Sequence, residues 1–125
     1  MNTHLHIIEA YANLYSAFPG EKIKEKIKHL LDVFDQYIID RDTSHLHLFM
    51  DESWKVKSLL VSYGHDVEAA WLLLECAEIS GDENCISRFK ELSIKIADAA
   101  AEGTDNDGGL WYEYDPATNH LIKVY

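Results

Sequence analysis

A short motif that occurs twice, 59 positions apart (65 − 6), constrains the fold of this sequence more than any other feature. His6-Ile7-Ile8-Glu9-Ala10 and His65-Asp66-Val67-Glu68-Ala69 both read His-x-x-Glu-Ala. Each copy opens a helix with few charges, and a glycine-containing turn, an amphipathic helix and an aromatic-rich loop follow it. Repeats of this length are typical of stacked helical hairpins, in which we expect the first helix of each pair inside and the second outside.

Apolar residues at steps of three and four predict four helices, over about residues 3–17, 21–39, 65–79 and 83–101. Pro19 and Gly20 end the first helix, and Asp82 is placed to cap the fourth. Strand-like composition in residues 40–60 and 110–125 predicts short β-hairpins or extended loops. The expected repeats therefore cover about residues 3–60 and 61–125 of an all-α chain.

The third helix has almost no polar face, because most of its residues are apolar: Ala69, Ala70, Trp71, Leu72, Leu73, Leu74, Ala77 and Ile79. A helix that is apolar all round is buried within a larger assembly, so we expect Trp71 in the core. Two hairpins are too few to bury a continuous face, since helical repeats generally need three or more. The chain is therefore expected to be a segment of a longer enzyme or to complete its core by self-association.

Composition argues against several classes of function. Eleven Lys and Arg against 22 Asp and Glu give a net charge of −11, which disfavours nucleic-acid binding. No apolar run reaches the roughly 18 residues of a membrane span, so no membrane association is expected. Residues 1–6 lack the basic end and apolar run of a signal peptide, which favours a cytoplasmic protein.

The run from Ser62 to Glu68 carries the most chemical information, because it lies where a loop enters the apolar third helix. His65 and Glu68 are three residues apart and share a helix face, as suits a site in a central cavity. The helix N-terminus favours a neutral His65 that accepts a proton, whereas Glu68 favours the charged ring. The alternative is a structural role, with a histidine capping a helix and a glutamate in an ion pair.

Two His-x-His pairs are further candidates. Of His4 and His6, the repeat alignment selects His6 to face the cavity. His45 and His47 would share one face of a strand, and with Glu68 they suggest a zinc or manganese site as an alternative. Against a metal, the sequence has no His-Glu-x-x-His run and no cysteine pair at ligand spacing.

Aromatic and acidic residues in the loops also leave two interpretations open. Trp54, Trp111 and Tyr112 are placed to stack on a sugar at the cavity mouth or to fold back onto the domain. The acid pairs Asp51/Glu52 and Asp105/Asp107 are compatible with a glycoside hydrolase. Both pairs lie in turn-like sequence, however, so a role in forming turns is favoured.

Residues 3–11 and 62–73 resemble the N-acylglucosamine 2-epimerase family, and within it the cellobiose 2-epimerases. The resemblance extends over essentially the whole chain, including residues 45–49 and 107–111. It implies an (α/α)6 barrel of about twelve helices, roughly three times this length, with this chain in the middle. Such a barrel agrees with the missing partner of the third helix.

The resemblance also implies a reaction, the epimerisation of a mono- or disaccharide at C2 without a redox cofactor or metal. A histidine removes the C2 proton of the opened sugar, and the enediolate is reprotonated from the other face. His65 matches an acid/base histidine of the family, Glu68 its supporting glutamate, and His6 a histidine that binds the substrate. We expect His4, Tyr63 and Trp111 to bind substrate as well.

The resemblance is incomplete, since the family's second acid/base histidine and a substrate-binding arginine match no residue of this chain. Little or no activity is therefore expected of the chain alone. Two other functions stay open from the residues. One is a non-catalytic helical module that binds a partner or itself, and the other is a metal-dependent glycan hydrolase.

Overall fold

Two helical hairpins lie side by side in the computed structural model, which describes residues 1–123. The first hairpin consists of α1 (Asn2–Ala17) and α2 (Glu21–Val33), and the second of α3 (Tyr63–Ser80) and α4 (Glu83–Ala101). α1 packs on both α2 and α3, and α3 packs chiefly on α4. The predicted all-α architecture of two helical hairpins is confirmed.

Local sequence explains where the helices end. Pro19 and Gly20 follow α1, and the extended backbone of Gly20 precedes α2. Gly81 ends α3 in the left-handed region (φ 68°), which costs glycine little. The carboxylate of Asp82 accepts a hydrogen bond from the Cys85 N–H at 3.0 Å, so the predicted cap of α4 is present.

The second helix differs from its prediction at its end. After Val33 the chain forms one π-helical turn, Phe34–Ile38, closed by a 2.9 Å hydrogen bond from the Ile39 N–H to the Phe34 carbonyl. Phe34 and Ile38 are fully buried. The wider turn re-aims the following chain, and Ile39 forms an isolated bridge with Leu46 instead of continuing the helix.

Three short strands form an antiparallel sheet in the order β1-β2-β3: β1 (Val61–Ser62), β2 (Glu113–Asp115) and β3 (His120–Ile122). The β2–β3 hairpin was predicted, although the predicted second strand extends to residues 124–125, which lie outside the described residues. β1 was not predicted. Residues 40–60 form the expected extended loop, with isolated bridges rather than a regular hairpin.

The core lies between the helices. Its fully buried residues come from all four helices and from the π-helical turn, and include Leu5, Ile8, Ile27, Leu31, Phe34, Leu73, Cys76 and Ile96. The prediction that Trp71 lies in the core is wrong, since the residue is 53% exposed. α3 packs its buried residues, including Ala69, Leu73 and Cys76, against the other helices, whereas Trp71 stays at the surface. No helix within residues 1–123 is long and apolar enough to cross a membrane.

Trp71 instead lines an open apolar groove of about 720 Å³ between α3 and α4, which we call the α3/α4 groove. Its wall includes Val67 (46% exposed), Leu74 and Ile94 (64% exposed). An exposed apolar surface of this kind is typical of an interface. The two hairpins therefore leave part of the apolar surface of α3 exposed.

A buried carboxylate joins the long loop to the second hairpin. Asp66, fully buried in the first turn of α3, accepts hydrogen bonds from the Leu46 N–H at 2.9 Å and from His45 Nδ1 at 2.7 Å. His45 Nε2 lies 3.3 Å from the Glu102 carboxylate at the end of α4. Burial lowers the pKa of His45, but the hydrogen bonds and charges of Asp66 and Glu102 outweigh it, so that the pKa is raised.

We predict that His45→Gln lowers the free energy of unfolding by about 1–3 kcal/mol near pH 5.5 and by less near pH 8.5. A raised native pKa adds stability below the unfolded pKa, and this contribution is lost as the pH rises through the native value. Urea unfolding at both pH values measures the difference.

The matched control is His47→Gln, which removes a histidine of the same loop whose Nε2 lies 3.4 Å from the Asp40 carboxylate near the surface. Its effect should stay below about 1 kcal/mol. A loss in His45→Gln that is equal at both pH values would contradict the assignment of a charged His45.

Candidate functional site

His65 lies in the first turn of α3, where a serine fixes one side of its ring. The Ser62 hydroxyl lies 2.7 Å from His65 Nδ1, and Ser62 is 3% exposed. The half-buried ring therefore keeps its second nitrogen, Nε2, for other contacts. Proton transfer to or from a bound molecule at Nε2 is what this arrangement permits.

The structure brings three of the predicted site residues together. His65, Glu68 and Trp111 line one open cavity of about 380 Å³, with Tyr112 at its rim. Glu68 is half-buried and follows His65 by three residues of α3, so both side chains reach the same cavity. An imidazole, a carboxylate and indole and phenol rings are a set suited to a polar molecule with an apolar face, such as a sugar.

Tyr63 lies on the other side of the N-terminus of α3 and does not reach that cavity. It is 4% exposed and meets the His45 ring edge-on, with centroids 6.0 Å apart. Burial, followed by the charge of Glu102, raises the pKa of Tyr63. A second cavity of about 560 Å³ begins there and includes His47 and Tyr114.

The two N-terminal histidines occupy different places. His4 lies against the rings of Phe34 and Trp54, with centroids at 6.4 and 5.7 Å. Burial and the positive N-terminus lower the pKa of His4, which lines a cavity of about 280 Å³ with Trp54. His6 is exposed on α1, with Nδ1 3.9 Å from the Glu9 carboxylate. Of the six predicted site residues, His65, Glu68 and Trp111 thus share one cavity. Tyr63, His4 and His6 each lie elsewhere.

Two residues of the site region were missed or misassigned from sequence. Ser62 precedes the helix, where a serine is usually taken for a backbone cap, so its contact with His65 was not foreseen. Trp71 was assigned to the core because its neighbours in the sequence are apolar, but it lines the α3/α4 groove and not the cavity of His65.

The groups that suggested a metal or hydrolase site have other partners. His45 contacts Asp66 and Glu102, whereas His47 contacts Asp40. Within residues 1–123, no group of three His, Cys, Asp or Glu side chains is arranged to hold a metal ion.

One member of each acidic pair, Asp51 and Asp107, makes a local hydrogen bond in a turn. The Asp51 carboxylate accepts hydrogen bonds from the Ser53 and Lys55 N–H groups at 2.9 and 3.0 Å. Asp105 pairs with Lys123 at 2.7 Å, and Asp107 accepts a hydrogen bond from the Gly109 N–H at 2.9 Å. These contacts support the interpretation of the acids as turn formers.

We predict that Gly103→Ala destabilises the chain by about 1–3 kcal/mol. Gly103 is buried, and an added Cβ would collide with the Tyr63 ring, which packs between the end of α4 and His45. Thermal unfolding followed by circular dichroism measures the effect.

Gly64→Ala is the control, because nothing lies within 4 Å of the Cβ that it adds. It should leave stability unchanged or raise it by about 0.4–1 kcal/mol. Equal melting temperatures of the two variants would show that the Gly103–Tyr63 contact does not restrict the residue size.

Several known proteins are similar to this chain in sequence. The model of the N-acylglucosamine 2-epimerase (GlcNAc 2-epimerase) family matches residues 1–123. Cellobiose 2-epimerase of Bacteroides fragilis is 46% identical over 125 residues, which is 100% of this chain and 32% of that protein. Cellobiose 2-epimerase of Dictyoglomus turgidum is 39% identical over 113 residues, covering 90% of this chain and 29% of the other.

Solved structures of other proteins also superpose on this chain. A sugar epimerase from a ruminal bacterium superposes with a TM-score of 0.91 at 34% identity, covering 98% of this chain and 31% of the other. Cellobiose 2-epimerase from Bacillus thermoamylovorans gives a TM-score of 0.89 at 34% identity, with 98% and 31% covered. These matches confirm the expected segment of an (α/α)6 barrel. The chain spans about a third of the length of the relatives it matches.

Proposed function

The chain belongs to the N-acylglucosamine 2-epimerase family, and on this premise we propose that it is the central segment of a carbohydrate 2-epimerase. The enzyme would invert C2 at the reducing end of a mono- or disaccharide. The observation that carries the proposal is the cavity in which His65, Glu68 and Trp111 meet at the N-terminus of an inner helix. The proposed repeats, residues 3–60 and 61–125, would be two adjacent hairpins of the barrel.

His65 would act as the acid/base group. With Nδ1 occupied by Ser62, the neutral ring would take the C2 proton of the open-chain sugar on Nε2, leaving an enediolate. The amide groups at the start of α3 would favour the negative charge that develops. Glu68 would stabilise the imidazolium formed and help to orient the ring.

The other predicted residues would contribute to substrate binding. Trp111 would stack on the sugar in the shared cavity. His6, the repeat equivalent of His65 on α1, is exposed and free of the core, and would polarise the oxygens near the reacting carbons. His4 and Tyr63 are more enclosed and would shape the rim of the site.

Epimerisation needs a proton to leave one face of the enediolate and another to arrive on the opposite face. Among residues 1–123, His65 is the one histidine that lines the candidate cavity, and it would supply one of the two acid/base groups. The second group would come from the rest of the barrel. The proposal therefore assigns the activity to the complete enzyme.

A chimera tests this assignment. We predict that replacing the matching third of the Bacteroides fragilis enzyme by residues 1–125 gives a protein that incorporates deuterium at C2 of cellobiose in heavy water. His65→Asn should lower this exchange by about 10²–10⁴-fold, because general acid–base catalysis is lost. Mass spectrometry of the recovered sugar measures the exchange.

His29→Asn is the control, since His29 is an exposed histidine of α2 outside the cavity. The isolated chain should show no exchange above background. Undiminished exchange in the His65→Asn chimera, or turnover by the isolated chain at the rate of the chimera, would overturn the proposal.

The alternative function, self-association without catalysis, draws support from the α3/α4 groove. Within the chain, Ile8 and Ala12 of α1 are buried against the core that α3 shares, and the Cys76 thiol lies 4.0 Å from the Ile8 carbonyl. Their repeat equivalents, 59 positions later, are Val67 and Trp71 of the exposed groove. We propose that a further helical hairpin packs there as α3 packs on α1.

For the isolated chain, we predict concentration-dependent association that Trp71→Glu abolishes, because the charge cannot be buried in an apolar interface. Light scattering after size-exclusion chromatography measures the mass. Phe49→Glu changes another exposed aromatic residue (58% exposed), outside the groove, and should have no effect. A monomer at all concentrations would exclude self-association through the groove.

A further inference from the structure

We propose that Ser62 is a positioning residue that holds neutral His65 in the tautomer with its proton on Nδ1. The lone pair then lies on Nε2, the nitrogen left for the substrate. This inference rests on the proposed acid/base role of His65 for its function, although the tautomer itself is measurable without substrate.

The first observation is that Ser62 occupies the N-cap position of α3 but its side chain makes no cap hydrogen bond. An N-cap serine usually accepts a hydrogen bond from a backbone N–H of the first turn, and this bond stabilises the helix. Here the hydroxyl oxygen lies 2.7 Å from His65 Nδ1 instead. The helix gives up a common stabilising contact, and the histidine gains a fixed partner.

The second observation is that the Ser62 oxygen is held in place. Ser62 belongs to β1 and pairs with Glu113 of β2, so the sheet fixes its backbone. The residue is 3% exposed. Its backbone is extended (φ −115°, ψ 104°), which turns the hydroxyl toward the residue three positions on. The small sheet therefore controls the orientation of the His65 ring through one hydroxyl.

The proposed role of His65 as a base selects the direction of this hydrogen bond. A serine hydroxyl both donates and accepts, so either tautomer of His65 fits the distance alone. A base that uses Nε2 must carry its proton on Nδ1, where it donates to the Ser62 oxygen. That hydrogen bond persists when Nε2 gains a proton, because both ring nitrogens then donate. Donation from His65 Nδ1 to the Ser62 oxygen is therefore the one direction that holds both before and after Nε2 takes up a proton.

Nitrogen-15 NMR of the labelled 125-residue chain tests the proposal, with long-range proton–nitrogen correlations recorded well above the ordinary histidine pKa of about 6.5. Histidine free in water prefers the proton on Nε2, so the proposal predicts the reverse of the intrinsic preference. We expect the proton of His65 mainly on Nδ1 in the parent chain and mainly on Nε2 in Ser62→Ala. Ser62→Thr, which keeps a hydroxyl, should restore the parent pattern.

Ser93→Ala is the matched control, since Ser93 is also a buried serine (8% exposed) whose hydroxyl has no hydrogen-bond partner among residues 1–123. It should leave the His65 signals unchanged. Every variant should also leave the signals of the exposed His6 unchanged. Amide spectra identify any variant that fails to fold. If Ser62→Ala does not fold, the tautomer of His65 in Ser62→Thr tests the proposal. A parent chain with the proton on Nε2, or an unchanged tautomer in folded Ser62→Ala, would overturn the inference. An inactive chimera with the expected tautomer would instead count against the epimerase function.

Discussion

The buried carboxylate of Asp66 is the contact on which the candidate site depends. It binds the ring of His45 and the backbone of Leu46 at 2.7 and 2.9 Å, and thereby fastens the long loop of the first hairpin to the first turn of α3. A buried carboxylate is costly unless its oxygens are paired, so loop and helix must come together for either to be stable. His65 is the residue immediately before Asp66, and its position follows from this attachment.

The small sheet complements this attachment from the other side. β1 leads directly into α3, and its pairing with β2 sets Ser62 beside His65. The loop that ends in β2 carries Trp111 into the same cavity. The lining of the site is therefore mixed. Helix α3 supplies His65 and Glu68, and the segment before β2 supplies Trp111.

The sequence predicted what is encoded locally. Helix bounds followed from apolar spacing and from Pro19, Gly20 and Gly81, and the pairing of His65 with Glu68 on one face followed from their three-residue step. β1 was not predictable, because two residues become a strand only through their partner in β2. The π-helical turn after Val33 was missed for the same reason, since tertiary contacts of Phe34 and Ile38 decide it. The burial of Trp71 was predicted wrongly, because an apolar side chain favours burial but its sequence does not show which part of the protein would bury it.

The α3/α4 groove has a consequence for biosynthesis. Helical hairpins contact mainly their neighbours and can form one after another as the chain leaves the ribosome. At about 5–20 residues per second, a hairpin of about 60 residues takes several seconds to appear. A groove that waits for a later hairpin stays open to other hydrophobic surfaces for that time. Under the proposed packing, Val67, Trp71 and Ile94 would therefore remain exposed to water for several seconds during synthesis.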